Sequence, residues 1–290
     1  MRRNLSFLLL ALMLAGCGAA RHPAATTTAP KKPKPARVPA KFLVGAVGPV
    51  SVDVQGVSLV RGTLAQASAS APLVLVAAQS TPLAQLAVFA RAHPHTHFAY
   101  VGGTTAGNRV RNVVGLVLRD DQASELAGVV AGLVAAPNGA QARVAWVGPE
   151  ERKLVGAFAR GLHSAAPHAV LLRQWSRKLP SRCKEAALTA IGRGAVVVMA
   201  HADGCADAAV AAAHDQNVPA LRLDQFELPE VASEFIVRDA LGGVYRGNED
   251  IVFGAASGAI GVRTLDPRIP LATAVRARAA AQQLANGISP

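Results

Sequence analysis

Two glycine-containing segments and one histidine triplet hold the residue types that could do chemistry. Gly102-Gly103-Thr104-Thr105-Ala106-Gly107 has two phosphate-loop glycines, but Asn108 and Arg109 replace the lysine and magnesium-binding hydroxyl that such a loop needs. Ser257 lies in Gly254-Ala255-Ala256-Ser257-Gly258, which is not a G-x-S-x-G nucleophile elbow, and no triad order accompanies it. His93-Pro94-His95-Thr96-His97 would place alternate imidazoles on one face of an extended segment, as a zinc site requires. Pro94 supports a plainer reading, a solvated loop between a helix and a strand. His201, at a strand end, is a further candidate by position. No constellation supports enzyme activity, and neither a cofactor nor a metal site is expected.

Cys183 and Cys205 are the only cysteines beyond the leader region. An even pair in an exported chain reads as a disulfide, with two buried thiols as the alternative. A helix running down from Cys183 and a strand running back would return Cys205 to the starting level. Neither cysteine has a partner at C-x-x-C spacing.

The elements that must position these residues follow an alternating pattern. Short apolar runs at Phe42–Val47, Leu73–Ala77, Phe98–Val101, Val113–Leu118, Arg143–Val147, Val170–Trp175, Ala195–Ala200 and Ala220–Leu223 read as strands. Helices are predicted at Val57–Ala67, Leu83–His93, Gln122–Ala135, Glu151–Ala165, Lys184–Ile191 and Ala206–Gln216. Strands apolar on both faces imply parallel sheets covered by helices. The fold class is therefore α/β, with two doubly wound Rossmann-like lobes, 42–118 plus 239–290 and 119–238. Ligands of such sheets bind beyond the strand C-termini. Those ends here include Ala78-Gln79-Ser80-Thr81, His201-Ala202-Asp203-Gly204 and Asp224-Gln225, which are small and polar.

The charge is distributed unevenly. The 290 residues carry a formal net charge of +12, yet residues 1–41 hold eight basic side chains and no acidic one, and 42–290 carry 22 basic against 18 acidic. With 51% apolar and 17% charged residues the chain can bury a core, which excludes wholesale disorder. Only 4% of residues are aromatic, which argues against a stacking platform for nucleic acid.

The basic excess belongs to an address. Arg2 and Arg3 precede the apolar run Leu5–Leu14, the order of a secretory signal peptide over residues 1–16. Leu14-Ala15-Gly16-Cys17 resembles a bacterial lipobox, in which Cys17 would take a diacylglycerol and become the mature N-terminus. An ordinary signal peptide with an incidental cysteine is the alternative. Residues 17–41, rich in proline and lysine, read as an extended tether. Its lysines either meet anionic headgroups or are simply solvated.

Several segments together resemble the basic membrane lipoprotein family, the purine-nucleoside-receptor type of ABC-transporter binding protein. They are Ala92-His93-Pro94-His95-Thr96-His97-Phe98-Ala99-Tyr100-Val101, Asn112-Val113-Val114-Gly115-Leu116 followed by Glu125-Leu126-Ala127-Gly128-Val129-Val130-Ala131-Gly132, Arg143-Val144-Ala145-Trp146-Val147-Gly148 with Phe158-Ala159-Arg160-Gly161-Leu162, and the ending Gln283-Leu284-Ala285-Asn286-Gly287-Ile288. The resemblance spans nearly all of 42–290 and implies a type I periplasmic binding protein fold, its two lobes joined by crossover strands. It also implies a nucleoside-like ligand, an ABC permease as partner and a membrane-anchored, extracytoplasmic location. Nucleic acid is not an expected partner.

By the same resemblance the ligand residues fall at Asp53, Gln79, Asp203, Gly204, Asp224 and Arg238. A carboxylate such as Asp224 can accept two ribose hydroxyls, and Arg238 can donate to a base or an anion. The family's acidic residue after its "F-x-x-x" falls on Gly102, and its turn asparagine near Gly56. That departure leaves a second reading open, a surface lipoprotein with the same fold that serves as sensor or scaffold without transporting a solute.

Overall fold

The computed structural model describes residues 41–176, 179–201 and 206–288. The first sheet begins with β1 (Phe42–Val47), β2 (Val57–Arg61), α1 (Leu64–Ser70), β3 (Leu73–Ala77), α2 (Leu83–Ala92), β4 (His97–Val101) and β5 (Val113–Leu118). The chain then forms α3 (Asp120–Ala135), β6 (Arg143–Gly148), α4 (Arg152–Ala165), β7 (Val170–Trp175), α5 (Pro180–Gly192), β8 (Ala195–Ala200), α6 (Ala206–Asp215) and β9 (Ala220–Arg222). It ends with α7 (Pro229–Leu241), β10 (Glu249–Phe253) and α8 (Leu271–Ala285).

All pairings within the two sheets are parallel, in the orders β10-β5-β4-β3-β1-β2 and β7-β6-β8-β9. The α/β class expected from the sequence is what forms. The predicted helix Val57–Ala67 is corrected. Val57–Arg61 pairs with β1 as an edge strand, and the helix starts only after Thr63, whose side chain caps it in a reciprocal box with Gln66. Val57, Leu59 and Val60 favour the strand once β1 offers a free edge. β10, α7 and α8 were not among the predicted elements.

Alternation places each strand residue on a defined layer. Leu73, Leu75 and Ala77 share a core with Ala232, Ile236 and Val237 of α7, while Val74 and Val76 pack with α1 and α2. In the second sheet Trp146, Val197 and Met199 face α3, α4 and α8, and Ala145, Val147 and Val198 face α5 and α6. Relative to the expected spans, then, α7 packs on the first sheet and α8 on the second. The buried apolar face of each helix decides this, not its place in the chain.

α3 is apolar around most of its circumference and is buried accordingly. It approaches α4 so closely that a Cβ on Gly128 would strike the Phe158 carbonyl and one on Gly161 the Glu125 carbonyl. The glycine-rich Ala-Gly-Val-Val-Ala-Gly stretch is thus a helix-packing surface.

Candidate functional site

In a sheet ordered 2-1-3-4-5, β1 and β3 send their connections to opposite sides and leave a crevice between their C-terminal ends. A cavity of about 170 Å³ opens there, lined by Pro49 and Val50 after β1, Ala77 to Gln79 at the end of β3, and Gly102 after β4. Asp120 at the start of α3 and Glu227 before α7 complete it. Gly48 adopts φ 81°, and a side chain there would collide with Ser80, so the turn out of β1 needs glycine. The Gly-Thr loop after β4 is held by Asp250 of β10, whose carboxylate accepts from Thr104 Oγ1 (2.5 Å), Thr105 N (2.8 Å) and Thr105 Oγ1 (2.7 Å). Those threonines serve loop anchoring.

The two carboxylates are electrostatically strained. Burial pushes the Glu227 carboxyl up to about 8, and the charges of Asp120 and Asp224 add to the effect. Asp120 is also raised, first by the protein crowding it within the concave surface and then by Asp121 and Glu151, while His201 opposes the rise. Solvent still reaches Asp120 at the mouth of the crevice.

The crossovers between the sheets pin these residues. Glu227 bridges Ile260 in antiparallel fashion, and the Leu228 N–H donates to the Ala259 carbonyl (2.8 Å). The Arg119 N–H donates to the Phe253 carbonyl (2.9 Å), and the Ala255 N–H to Gln122 Oε1 (2.9 Å). Three short crossings, near Arg119, Glu227 and Gly254, are thereby laced together, the arrangement of a hinge built from element ends.

The second sheet repeats the geometry at its own switch point between β6 and β8. His201, after β8, is buried with its N–H on the Val147 carbonyl (2.9 Å) and Nε2 3.7 Å from Glu151 Oε2. A Cβ on Gly148 would lie 2.6 Å from the His201 Cβ, so the β6 end stays small to admit the imidazole. His201 Nδ1 is buried without a partner among the described residues. Beside it, Pro149, Glu150, Trp175, Leu179 and Arg182 surround a hollow of about 660 Å³, with Trp175 46% exposed.

The residues expected to bind ligand are placed unequally. Gln79 lines the first cavity. Asp53 is exposed on the connection between β1 and β2 and does not line it. Asp224 lies close enough to raise Glu227, but Arg222 holds both its oxygens, at 3.0 and 2.7 Å. Arg238 sits exposed on α7 and pairs with Glu234 one turn earlier (2.9 Å). Asp203 and Gly204 lie outside the described residues, as do Cys17 and Cys205. Cys183 is fully buried at the start of α5, its Sγ 3.1 Å from Ser176 Oγ. The histidine triplet is divided: His93 stacks on Phe89 at 4.0 Å and His97 on Tyr245 at 4.2 Å.

Asp120 and Glu227 escaped sequence reasoning. Asp120 lies two residues after the end of a recognised strand, which is a usable signal. Glu227, in Phe226-Glu227-Leu228-Pro229, carries none.

No family model matches the chain, and no curated protein matches it in sequence. Solved structures do match in shape. An ABC transporter solute-binding protein from Conexibacter woesei is 18% identical over 85% of this chain and 97% of its own, with a TM-score of 0.60. One from Aeropyrum pernix is 15% identical over 86% and 94%, with a TM-score of 0.58. A transcriptional activator of the comK gene from Bacillus halodurans is 12% identical over 86% and 99%, with a TM-score of 0.64. At these identities the likeness is one of architecture: the chain has the two-sheet α/β fold of type I periplasmic binding proteins.

Proposed function

We propose that this chain is an extracytoplasmic solute-binding protein that delivers a small polar molecule to an ABC importer. The carrying observation is the convergence of Asp120, Glu227 and Gln79 on one cavity at the β1/β3 switch point, bordered by the crossovers. Carboxylates and an amide side chain suit a ligand rich in hydroxyl or amine donors. The hinge-like crossings suit closure over it. The ABC solute-binding proteins of like fold support the same reading.

The finer reading is a nucleoside, following the resemblance to basic membrane lipoproteins. A ribose diol would meet the carboxylates, and the exposed Trp175 offers a ring on which a base can stack. The chain is further proposed to be held at the outer face of a bacterial cell membrane by an acylated Cys17, and to carry a Cys183–Cys205 disulfide.

The test is a thermal-shift screen of the chain from Gly18 onward against nucleosides, sugars, amino acids and Zn²⁺. A true ligand at about 100 times its Kd should stabilise the fold by about 2.7 kcal/mol. No shift with any nucleoside removes the finer reading, and no shift with any solute removes the coarser one. Mass analysis of the mature N-terminus reads the acyl group, and thiol labelling with and without reductant reads the disulfide.

A further inference from the structure

The pole of the first sheet opposite the ligand crevice is a second, differently charged surface. Because its strands are all parallel, the residues that precede β1, β3, β4 and β5 lie together there. The register confirms the level: Val44 and His97 both pair with Leu73, and Phe98 pairs with Val113. α2 also ends at this pole, and it delivers Arg91.

Arg91, Arg109 and Arg111, with His97 and Pro94, surround one hollow of about 490 Å³ whose lining contains no carboxylate among the described residues. All three arginines are exposed. Arg91 donates to the Asn108 side chain (2.9 Å), and neither Arg109 nor Arg111 forms an ion pair among the described residues. The framework beneath is fixed. The buried Asn112 side-chain amide donates to the carbonyls of Ala90 (3.0 Å), His93 (2.9 Å) and Thr96 (2.7 Å), tying the end of α2, the following turn and β5 together.

The described chain begins at this same pole. Lys41 immediately precedes β1, three strand spacings, or roughly 14 Å, from β5. The basic, proline-rich segment 17–41 and its proposed acyl anchor therefore join the fold at the pole where Arg91, Arg109 and Arg111 cluster.

We propose that this arginine pole is a docking surface for the anionic phosphates of the membrane to which the chain is tethered. Guanidinium forks match phosphate oxygens, and clustered charges near an anionic leaflet add their attractions. The proposal takes export and anchoring as given, but not the identity of the solute. Its test is independent of both.

Among the described residues the four apolar cores are built from residues 44–284, so the chain from Gly18 onward keeps all of them, and its folding is checked by circular dichroism. This soluble chain is mixed with vesicles of phosphatidylcholine alone, or of phosphatidylcholine with phosphatidylglycerol, and co-flotation is measured. Binding is expected to the anionic vesicles only. It should fade as salt rises from about 0.1 M to about 1 M, where the Debye length falls from about 10 to about 3 Å.

Replacing Arg91, Arg109 and Arg111 by Gln should weaken binding on the order of a hundredfold, at about fivefold per charge, while replacement of all three by Lys should retain most of it. If the triple Gln chain does not fold by circular dichroism, Arg109→Gln alone should still cost about fivefold. Undiminished binding of the Gln variants would assign the attraction to the tether and overturn the proposal. Equal binding to both vesicles would do the same. Inorganic phosphate that stabilises the native chain without any vesicle binding would make this a soluble-anion site and overturn the membrane assignment.

Discussion

Glu227 and Asp120 line the same cavity from two different crossovers, and the negative charge of Asp120 helps hold Glu227 protonated. Among the described residues no lysine or arginine lines that cavity, and the adjacent guanidiniums are committed elsewhere, Arg119 to Asp121 and Arg222 to Asp224 and Asp207. The site is therefore an acceptor-rich pocket with a proton in reserve.

Asp120→Asn and Gln79→Ala should each weaken binding of whichever solute the thermal screen identifies. A buried ligand donor left without its acceptor costs about 1–3 kcal/mol. Isothermal titration reads this directly. Asp53→Ala and Arg238→Ala, which alter residues outside the cavity, should leave affinity within about twofold. A large loss from either would move the site away from the β1/β3 crevice.

The raised Glu227 carboxyl makes stability depend on pH in a defined direction. Between its ordinary value and about 8 the folded chain binds a proton that the unfolded chain has released, so stability falls as pH rises through this window. Solvent entering the crevice screens the repulsion, so the expected loss is about 1–2 kcal/mol. Glu227→Gln should abolish this slope and be more stable than the native chain at about pH 8.5. Melting temperatures of both proteins across that range decide it.

A different carboxylate works in the opposite sense. Asp266, buried near the end of the second sheet, accepts from His214 Nε2 (2.8 Å), Ala220 N (2.9 Å) and Arg268 N (2.9 Å). Burial pushes its carboxyl up, but those hydrogen bonds outweigh burial and hold it below the ordinary value. Its contribution is complete above the ordinary carboxylate pKa and is lost as pH falls through the depressed one. Asp266→Ala should cost about 3 kcal/mol at neutral pH, because it orphans several donors. Urea unfolding at about pH 7 and about pH 3 should show the difference between the two proteins shrinking in acid.

Gly161→Ala tests the α3–α4 contact. The added methyl would meet the Glu125 carbonyl and the Val129 backbone nitrogen, neither of which can move without shifting a buried helix. A loss of about 3 kcal/mol is expected by chemical denaturation. Gly156→Ala, on the same helix with nothing near its Cβ, should be neutral or slightly stabilising.

Much of this was legible locally. Leu73–Ala77, a short run apolar at every position, reads as a strand covered on both faces, and Val170–Trp175 and Ala195–Ala200 read as strands with the bounds they have. Val57–Ala67 misled because five residues of strand and the start of a capped helix follow one another without a break in the apolar pattern, and the edge of β1 settles which comes first. Gln79 was named through the family resemblance, in the loop that follows a recognisable strand. Glu227 was not, since no local pattern surrounds it.

The sequence by itself determined the α/β class, the alternation of strands and helices, and the leader-like basic N-terminus. These depend on periodicity and composition, which act over a few residues at a time. Only the tertiary structure decided that α7 covers the first sheet and α8 the second, and that Asp120 and Glu227 meet. It also gathered Arg91, Arg109 and Arg111 at the pole where β1 begins. Such groupings arise when distant apolar faces are buried together, and burial carries along whatever polar residues stand at the element ends.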